Sequence, residues 1–275
     1  MKEWKLKKVI QILTACLAMI VVLNVSGISM KTMQTIDINK KESKTNRQDS
    51  NLQMESETRE TISRILNEQI QTELPQIAIT FDDGPKTSVT SRILDSLQAN
   101  GGRATFFMLG SNVNANAGVI KRMVDQGCEV SNHTHDHKYL TKIGAEGIVS
   151  QVGSTNQKIQ AVCGVSPVLM RPPGGYIDGA SLNVLGSMGM PAIMWSIDTR
   201  DWQHRNAQRT IDTVLSQVKD GDIILMHDIY STTADAAVVL IPELTARGYQ
   251  LVTVSELAAY RGGIAPGHKY SQFRP

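Results

Sequence analysis

From Gln76 onward, short apolar runs alternate with longer segments whose apolar positions recur every three or four residues. The short runs predict strands over 77–82, 104–109, 128–132, 167–171, 191–197, 222–227 and 250–253. The longer segments predict helices over 87–100, 113–126, 142–161, 179–188, 207–219 and 232–247. Strand–helix alternation repeated this often predicts an α/β fold with a parallel sheet. About seven parallel strands in such a short span point to a distorted (β/α) barrel, closed or nearly closed.

The pattern before Gln76 is different. Residues 1–30 carry four lysines and one glutamate around an apolar run from Val9 to Val25. This is the layout of a cleaved secretory signal or of an uncleaved N-terminal membrane anchor, and both place the rest of the chain outside the cytoplasm. Residues 31–75 are mostly polar and predict a linker, with a short helix over 57–70 where Ile62, Ile65, Leu66 and Ile70 recur on one side. The catalytic domain is expected over 76–258, followed by a tail over 259–275.

Charge adds little to this picture. The formal net charge is +2, and the first 30 residues alone contribute +3, which leaves about −1 for the remainder. No basic stripe of the kind nucleic acid requires is present, so nucleic-acid binding is excluded. Export would place Cys128 and Cys163 in an oxidising compartment, where they could pair, but each stands beside a predicted strand where a free thiol fills apolar space well. Neither is expected to act as nucleophile or metal ligand.

The polar residues gather at one end of the predicted strands. The first strand ends in Asp82-Asp83, the third runs into Asn132-His133, and the fourth ends in Arg171-Pro172-Pro173-Gly174-Gly175. The fifth leads to Asp198 and Asp201-Trp202, and the sixth ends in His227-Asp228. In a (β/α) barrel the C-terminal strand ends carry the active site. His133 and His137 stand four apart, so on a helical turn both imidazoles would reach one ion, while His135 would turn away. Asp82 and Asp83 would point in opposite directions, one toward the metal and one toward a water. Arg171 is suited to a bidentate pair with a nearby carboxylate. A glycine N–H at 174 or 175 could face an oxyanion, and His227, oriented by Asp201 or Asp228, could protonate a leaving amine. Trp202 and Tyr176 are candidate walls for a sugar ring, and Trp195 is assigned to the core.

These residues resemble five successive motifs of the polysaccharide deacetylases, the NodB-homology domain or carbohydrate esterase family four, over roughly 75–256. The carriers are Thr80-Phe81-Asp82-Asp83-Gly84-Pro85, Asn132-His133-Thr134-His135-Asp136-His137, Arg171-Pro172-Pro173-Gly174-Gly175, Asp198-Thr199-Arg200-Asp201-Trp202 and Ile224-Leu225-Met226-His227-Asp228. The resemblance implies Asp82 as general base, with Asp83, His133 and His137 as metal ligands. It implies that Arg171 holds the base, Gly174 offers its N–H to the oxyanion, Asp201 orients the acid His227, Trp202 walls the groove and Leu225 lines the acetyl pocket. The chain departs from many members at Gly174, where an aromatic residue is common, and Tyr176 is the candidate replacement.

The activity so implied is metal-dependent N-deacetylation of N-acetylglucosamine units in a cell-envelope glycan, with peptidoglycan as the expected partner. One divalent ion is expected, Zn²⁺ first and Co²⁺ or another transition metal as alternatives. The catalytic domain is expected to be monomeric, tethered to the cytoplasmic membrane by the N-terminal segment or secreted. Alternative substrates are chito-oligosaccharides, N-acetylmuramic acid and O-acetylated xylan. A non-enzymatic alternative is an inactive glycan-binding module, which would be expected to lack the base or a ligand.

Overall fold

A computed structural model describes residues 74–275. The predicted signal or anchor, the linker and the helix over 57–70 lie outside the described residues. The strands are β1 (Gln76–Asp82), β2 (Thr105–Met108), β3 (Glu129–Asn132), β4 (Ala192–Ile193), β5 (Ile197–Asp198), β6 (Ile223–His227), β7 (Gln250–Leu251) and β8 (Lys269–Tyr270). The helices are α1 (Thr87–Ala99), α2 (Ala117–Asp125), α3 (Gly144–Cys163), α4 (Gly179–Ser187), α5 (Asp201–His204), α6 (Ala207–Gln217), α7 (Ser231–Ala246) and α8 (Val254–Ala259). None of them is long and apolar enough to cross a membrane.

The main sheet is parallel, in the order β3-β2-β1-β6-β5, with β7 added beside the start of β1. Beyond β3, single bridges at Met170 pass from Asn132 to Ala192 and on to the β4–β8 pair. The ladder thus curves nearly round without closing, a distorted (β/α) barrel. The predicted strand over 167–171 contracts to the bridge at Met170, and the predicted strand over 191–197 splits into β4 and β5.

Strand parity divides the core. Ile77, Ile79 and Phe81 of β1 pack outward with Ile93, Leu94, Leu240 and Leu244 of the helical layer. Ala78 packs with Phe107, Ile193 and Ile223 in a second cluster on the opposite face. Period-two alternation then puts Thr80 and Asp82 on the same face as Ala78, and Leu225 and His227 on the same face as Ile223. The register pairs Asp82 with His227 across adjacent strands, so two polar ends meet at the mouth of this inner layer.

The two cysteines among the described residues are free: Cys128 is buried, with its thiol pKa pushed up to about 12 by burial, and Cys163 is half-buried at the end of α3. No disulfide joins them.

Residues 259–275, expected to be a simple tail, are built into the fold. β8 pairs with β4, Met194 N donates to Tyr270 O (2.7 Å), and Phe273 is buried against the inner cluster, stacked on Tyr270. Arg261 donates to Phe273 O (2.8 Å) and to Asp220 (2.6 Å), and Arg274 donates to the fully buried Asp222 (2.6 Å). Phe273→Ala is expected to destabilise the domain by about 3 kcal/mol, the usual loss for a buried aromatic side chain. Urea denaturation measures this, and a loss below about 1 kcal/mol would mean that the tail is dispensable.

Candidate active site and metal centre

The strand ends surround a cavity of about 370 Å³ whose lining includes Asp82, Asp83, His133, His137, Gly174, Trp202, Leu225 and His227. Asp82 ends β1 facing the inner layer. The next residue, Asp83, takes φ 70°, a left-handed turn that brings its side chain to the same cavity instead of the opposite face. Asn112 Nδ2 secures that turn by donating to Asp83 O (2.9 Å).

Asp83, His133 and His137 each present a ligand atom, all within 4.8 Å of one another. Asp83 Oδ1 stands 3.5 Å from His133 Nε2 and 3.4 Å from His137 Nε2. Asp83 Oδ1 is also buried and lacks a hydrogen-bond partner among the described residues. A buried carboxylate oxygen with two imidazole nitrogens facing it and no donor of its own fits a cation. Burial drives the His133 pKa down against the pull of Asp82 and Asp83, which favours the neutral form a ligand requires. Its Nδ1 lies 2.7 Å from Arg171 O, so the second ring nitrogen is left for the ion.

The two histidines do not meet on a helical face. They lie on a loop with left-handed turns at Thr134 (φ 64°) and His137 (φ 58°). α3 holds that loop from below. Gln151 Oε1 accepts from His135 N (3.0 Å) and Asp136 N (2.9 Å), while its Nε2 donates to Asp136 Oδ2 (3.0 Å). Asn132 reinforces the start of the loop, accepting from Thr134 N (2.7 Å) and donating to Val152 O (2.9 Å). His135 points away from the centre, between Asp136 and Lys158.

Arg171 is fully buried. Its Nη1 donates to both Thr80 Oγ1 (2.7 Å) and Asp82 Oδ1 (2.8 Å), Nε to Ile193 O (3.1 Å), and Nη2 to Met194 O (2.9 Å). The expected bidentate clasp on Asp82 is therefore a single bond, because the guanidinium divides its donors between two segments, β1 and the Ile193–Met194 backbone. Its plane also lies over Phe107, 4.1 Å from the ring centroid. Asp82 Oδ2 remains on the cavity side, 3.6 Å from His133 Nε2.

On the neighbouring strand β6, His227 Nδ1 lies 2.7 Å from Asp201 Oδ1. Asp201, not Asp228, is the orienting carboxylate. It also accepts from His227 N (2.9 Å), Trp202 N (2.9 Å) and Thr233 Oγ1 (2.6 Å). Burial opposes ionisation of Asp201, yet these bonds and the histidine hold its carboxyl below the usual range. Burial likewise opposes a charged His227, but the Asp201 bond and charge, with Asp82 and Asp83 nearby, raise it to about 9. Asp228 is buried beneath Gly84, accepts from Thr90 Oγ1 (2.5 Å), and has its pKa raised to about 7 by burial.

Several sequence assignments need adjustment. Trp195, expected in the core, packs against the inner cluster and also lines the cavity, and Tyr176 stands beside Gly174 and not in the lining itself. Tyr139, Asp198 and Tyr230 line the cavity without having been assigned a site role. The signal for Tyr139 was available: an aromatic residue two positions after His137, in an otherwise polar turn. Tyr230 similarly follows His227 by three.

A family model described as polysaccharide deacetylase matches residues 69–193. The chain is 42% identical to the peptidoglycan-N-acetylmuramic acid deacetylase PdaC of Bacillus subtilis over 198 residues, 72% of this chain and 42% of that protein. The solved PdaC structure superposes with a TM-score of 0.67 over 70% of this chain and 93% of the solved one. A peptidoglycan-N-acetylglucosamine deacetylase of Bacillus cereus is 37% identical over 190 residues, 67% of this chain and 89% of that protein. A family 4 acetyl xylan esterase from Clostridium thermocellum, solved in complex with a cobalt ion, is 31% identical with a TM-score of 0.67, covering 72% of this chain and 98% of that one. The chain spans about two fifths of the length of PdaC and of a second relative, the Listeria monocytogenes deacetylase PgdA. With the five motifs gathered at one cavity and near-full-length similarity to the B. cereus enzyme, the chain belongs to the polysaccharide deacetylase family.

Proposed function

We propose that the chain is a metal-dependent hydrolase that removes N-acetyl groups from N-acetylglucosamine units of a cell-envelope glycan, above all peptidoglycan. The observation that carries this is the pairing of Asp82 with His227 at one register position, in the cavity that also holds a three-donor centre. Amide hydrolysis needs a base for the water and an acid for the amine, and both face one cavity. The peptidoglycan assignment is supported by the names of the B. cereus and L. monocytogenes relatives, and N-acetylmuramic acid is the second reading because PdaC is named for it.

Asp83, His133 and His137 would hold the ion. Two imidazoles and a carboxylate suit Zn²⁺, and the cobalt-bound relative is consistent with Co²⁺ serving as well. A divalent ion bound there supplies Lewis-acid polarisation of the acetyl carbonyl and lowers the pKa of water. Asp82, kept oriented by Arg171, takes the proton of the attacking water through Oδ2. The N–H of Gly174 stabilises the oxygen that becomes negative. Leu225 packs against the acetyl methyl and Trp202 against the sugar. His227, protonated and fixed by Asp201, donates from Nε2 to the leaving nitrogen, which yields acetate and a free amino sugar. Such an enzyme works outside the cytoplasm, which agrees with the expectation that residues 1–30 are a signal or an anchor.

Two tests follow from the roles assigned. Asp83→Ala should bind the ion at least tenfold more weakly, measured by metal analysis after dialysis against a chelator of known affinity, since even the partners that orient metal ligands are worth 10–100-fold. Full metal retention would remove Asp83 from the centre. His227→Ala should keep the ion and lose about 10²–10⁴-fold in kcat.

The acid must be protonated, so activity falls as pH rises through the His227 pKa. Asp201 raises that pKa, so Asp201→Asn should move the alkaline limb of the kcat profile to lower pH as well as reduce its plateau. An unshifted limb would mean that this dyad does not set the titration.

A further inference from the structure

Gly174 stands where many relatives are expected to carry an aromatic side chain, and its surroundings show what has taken that place. A Cβ built on Gly174 would lie 3.0 Å from Cδ2 and Cε2 of Tyr176 and 3.4 Å from Cε1 of Tyr139. The two tyrosine rings come from different loops and meet there, with centroids 4.8 Å apart and planes tilted by 42°. Tyr139 also stands edge-on to the ligand His137, 6.1 Å between centroids.

Both rings are left open to solvent, Tyr139 by 42% and Tyr176 by 55%. Among the described residues the exposed aromatic side chains are these two, Trp202 and Tyr260; Tyr139 and Trp202 line the cavity, and Tyr176 lies against Gly174, which lines it. Neither tyrosine hydroxyl has a protein hydrogen-bond partner among the described residues. Large apolar faces with unspent hydroxyls at the rim of a polar cavity suit a pyranose, whose C–H face packs on an aromatic ring while its hydroxyls seek partners. The cavity itself, about 370 Å³, is at the small end for a ligand site. Sugars beyond the acetylated one must therefore rest on its rim.

We propose that Tyr139 and Tyr176 form an aromatic platform that stacks the pyranose adjoining the sugar being deacetylated, so that the chain favours oligomers over shorter substrates. This rests on the glycan reading above. A side chain at Gly174 would crowd the Tyr176 ring and touch Tyr139, and would be strained at φ 61°.

The test is calorimetric binding of the monosaccharide N-acetylglucosamine and of a chito-pentasaccharide to the full chain, with a chelator present to stop turnover. Tyr139→Ala and Tyr176→Ala should each weaken pentasaccharide binding about tenfold and monosaccharide binding little, while the Phe variants bind as the wild type does. In the metal-loaded enzyme the same loss should appear as a raised KM for the pentasaccharide, with metal content unchanged. Equal loss on both lengths, or none on either, would overturn the platform. The binding readout is independent of acetate release, so a wild-type chain that bound the pentasaccharide through both tyrosines but released no acetate would refute the deacetylase reading alone.

Discussion

The site depends on one buried cation. Arg171 is removed from water entirely, a placement that costs several kcal/mol unless its donors and its charge are satisfied. They are satisfied by groups from separate parts of the chain: Thr80 and Asp82 on β1, and the carbonyls of Ile193 and Met194 after β4. The backbone oxygen of the same residue faces His133 Nδ1. A single residue thus orients both the candidate base and one ring of the candidate metal centre. Losing it would leave Asp82 buried without its partner, so the strand ends and the catalytic geometry are coupled through one side chain.

That coupling explains a feature of the sheet. The carbonyls of Ile193 and Met194 are turned toward the guanidinium, and at this place the predicted strand over 191–197 breaks into β4 and β5. One half pairs toward Met170 and β8, the other with β6. Trp195 falls in the gap between them, where it packs against the inner cluster and also lines the cavity. The break between β4 and β5 and the position of the base thus meet at the same guanidinium.

Much of this was legible in the sequence, for definable reasons. The long, evenly patterned elements, β1, β6, α1 and α3, follow period-two or helical spacing and lie within a few residues of their predicted bounds. The site residues were legible because their chemistry is concentrated at strand ends. What could not be read were arrangements made by backbone turns and distant partners. The left-handed residues Asp83, Thr134 and His137 redirect side chains that simple periodicity would place elsewhere. Gln151, which holds the histidine loop, lies in the middle of a helix and carries no local mark. α8 did have one: Thr253-Val254-Ser255-Glu256 is a capping box, and both of its hydrogen bonds are present. β8 was illegible because two residues in a polar tail gain strand geometry only from β4.

The claim at the centre of this account is that three side chains hold an ion without which the Asp82–His227 pair cannot act. It is tested most directly by titrating Zn²⁺ into the chelator-stripped full chain, with acetate release from N-acetylated peptidoglycan fragments and bound metal measured in the same samples. Acetate release should be absent at the start, rise in proportion to bound metal, and level off at one ion per chain. Undiminished release from the stripped chain, or a fully loaded chain that releases no acetate from any N-acetylated glycan, would contradict it.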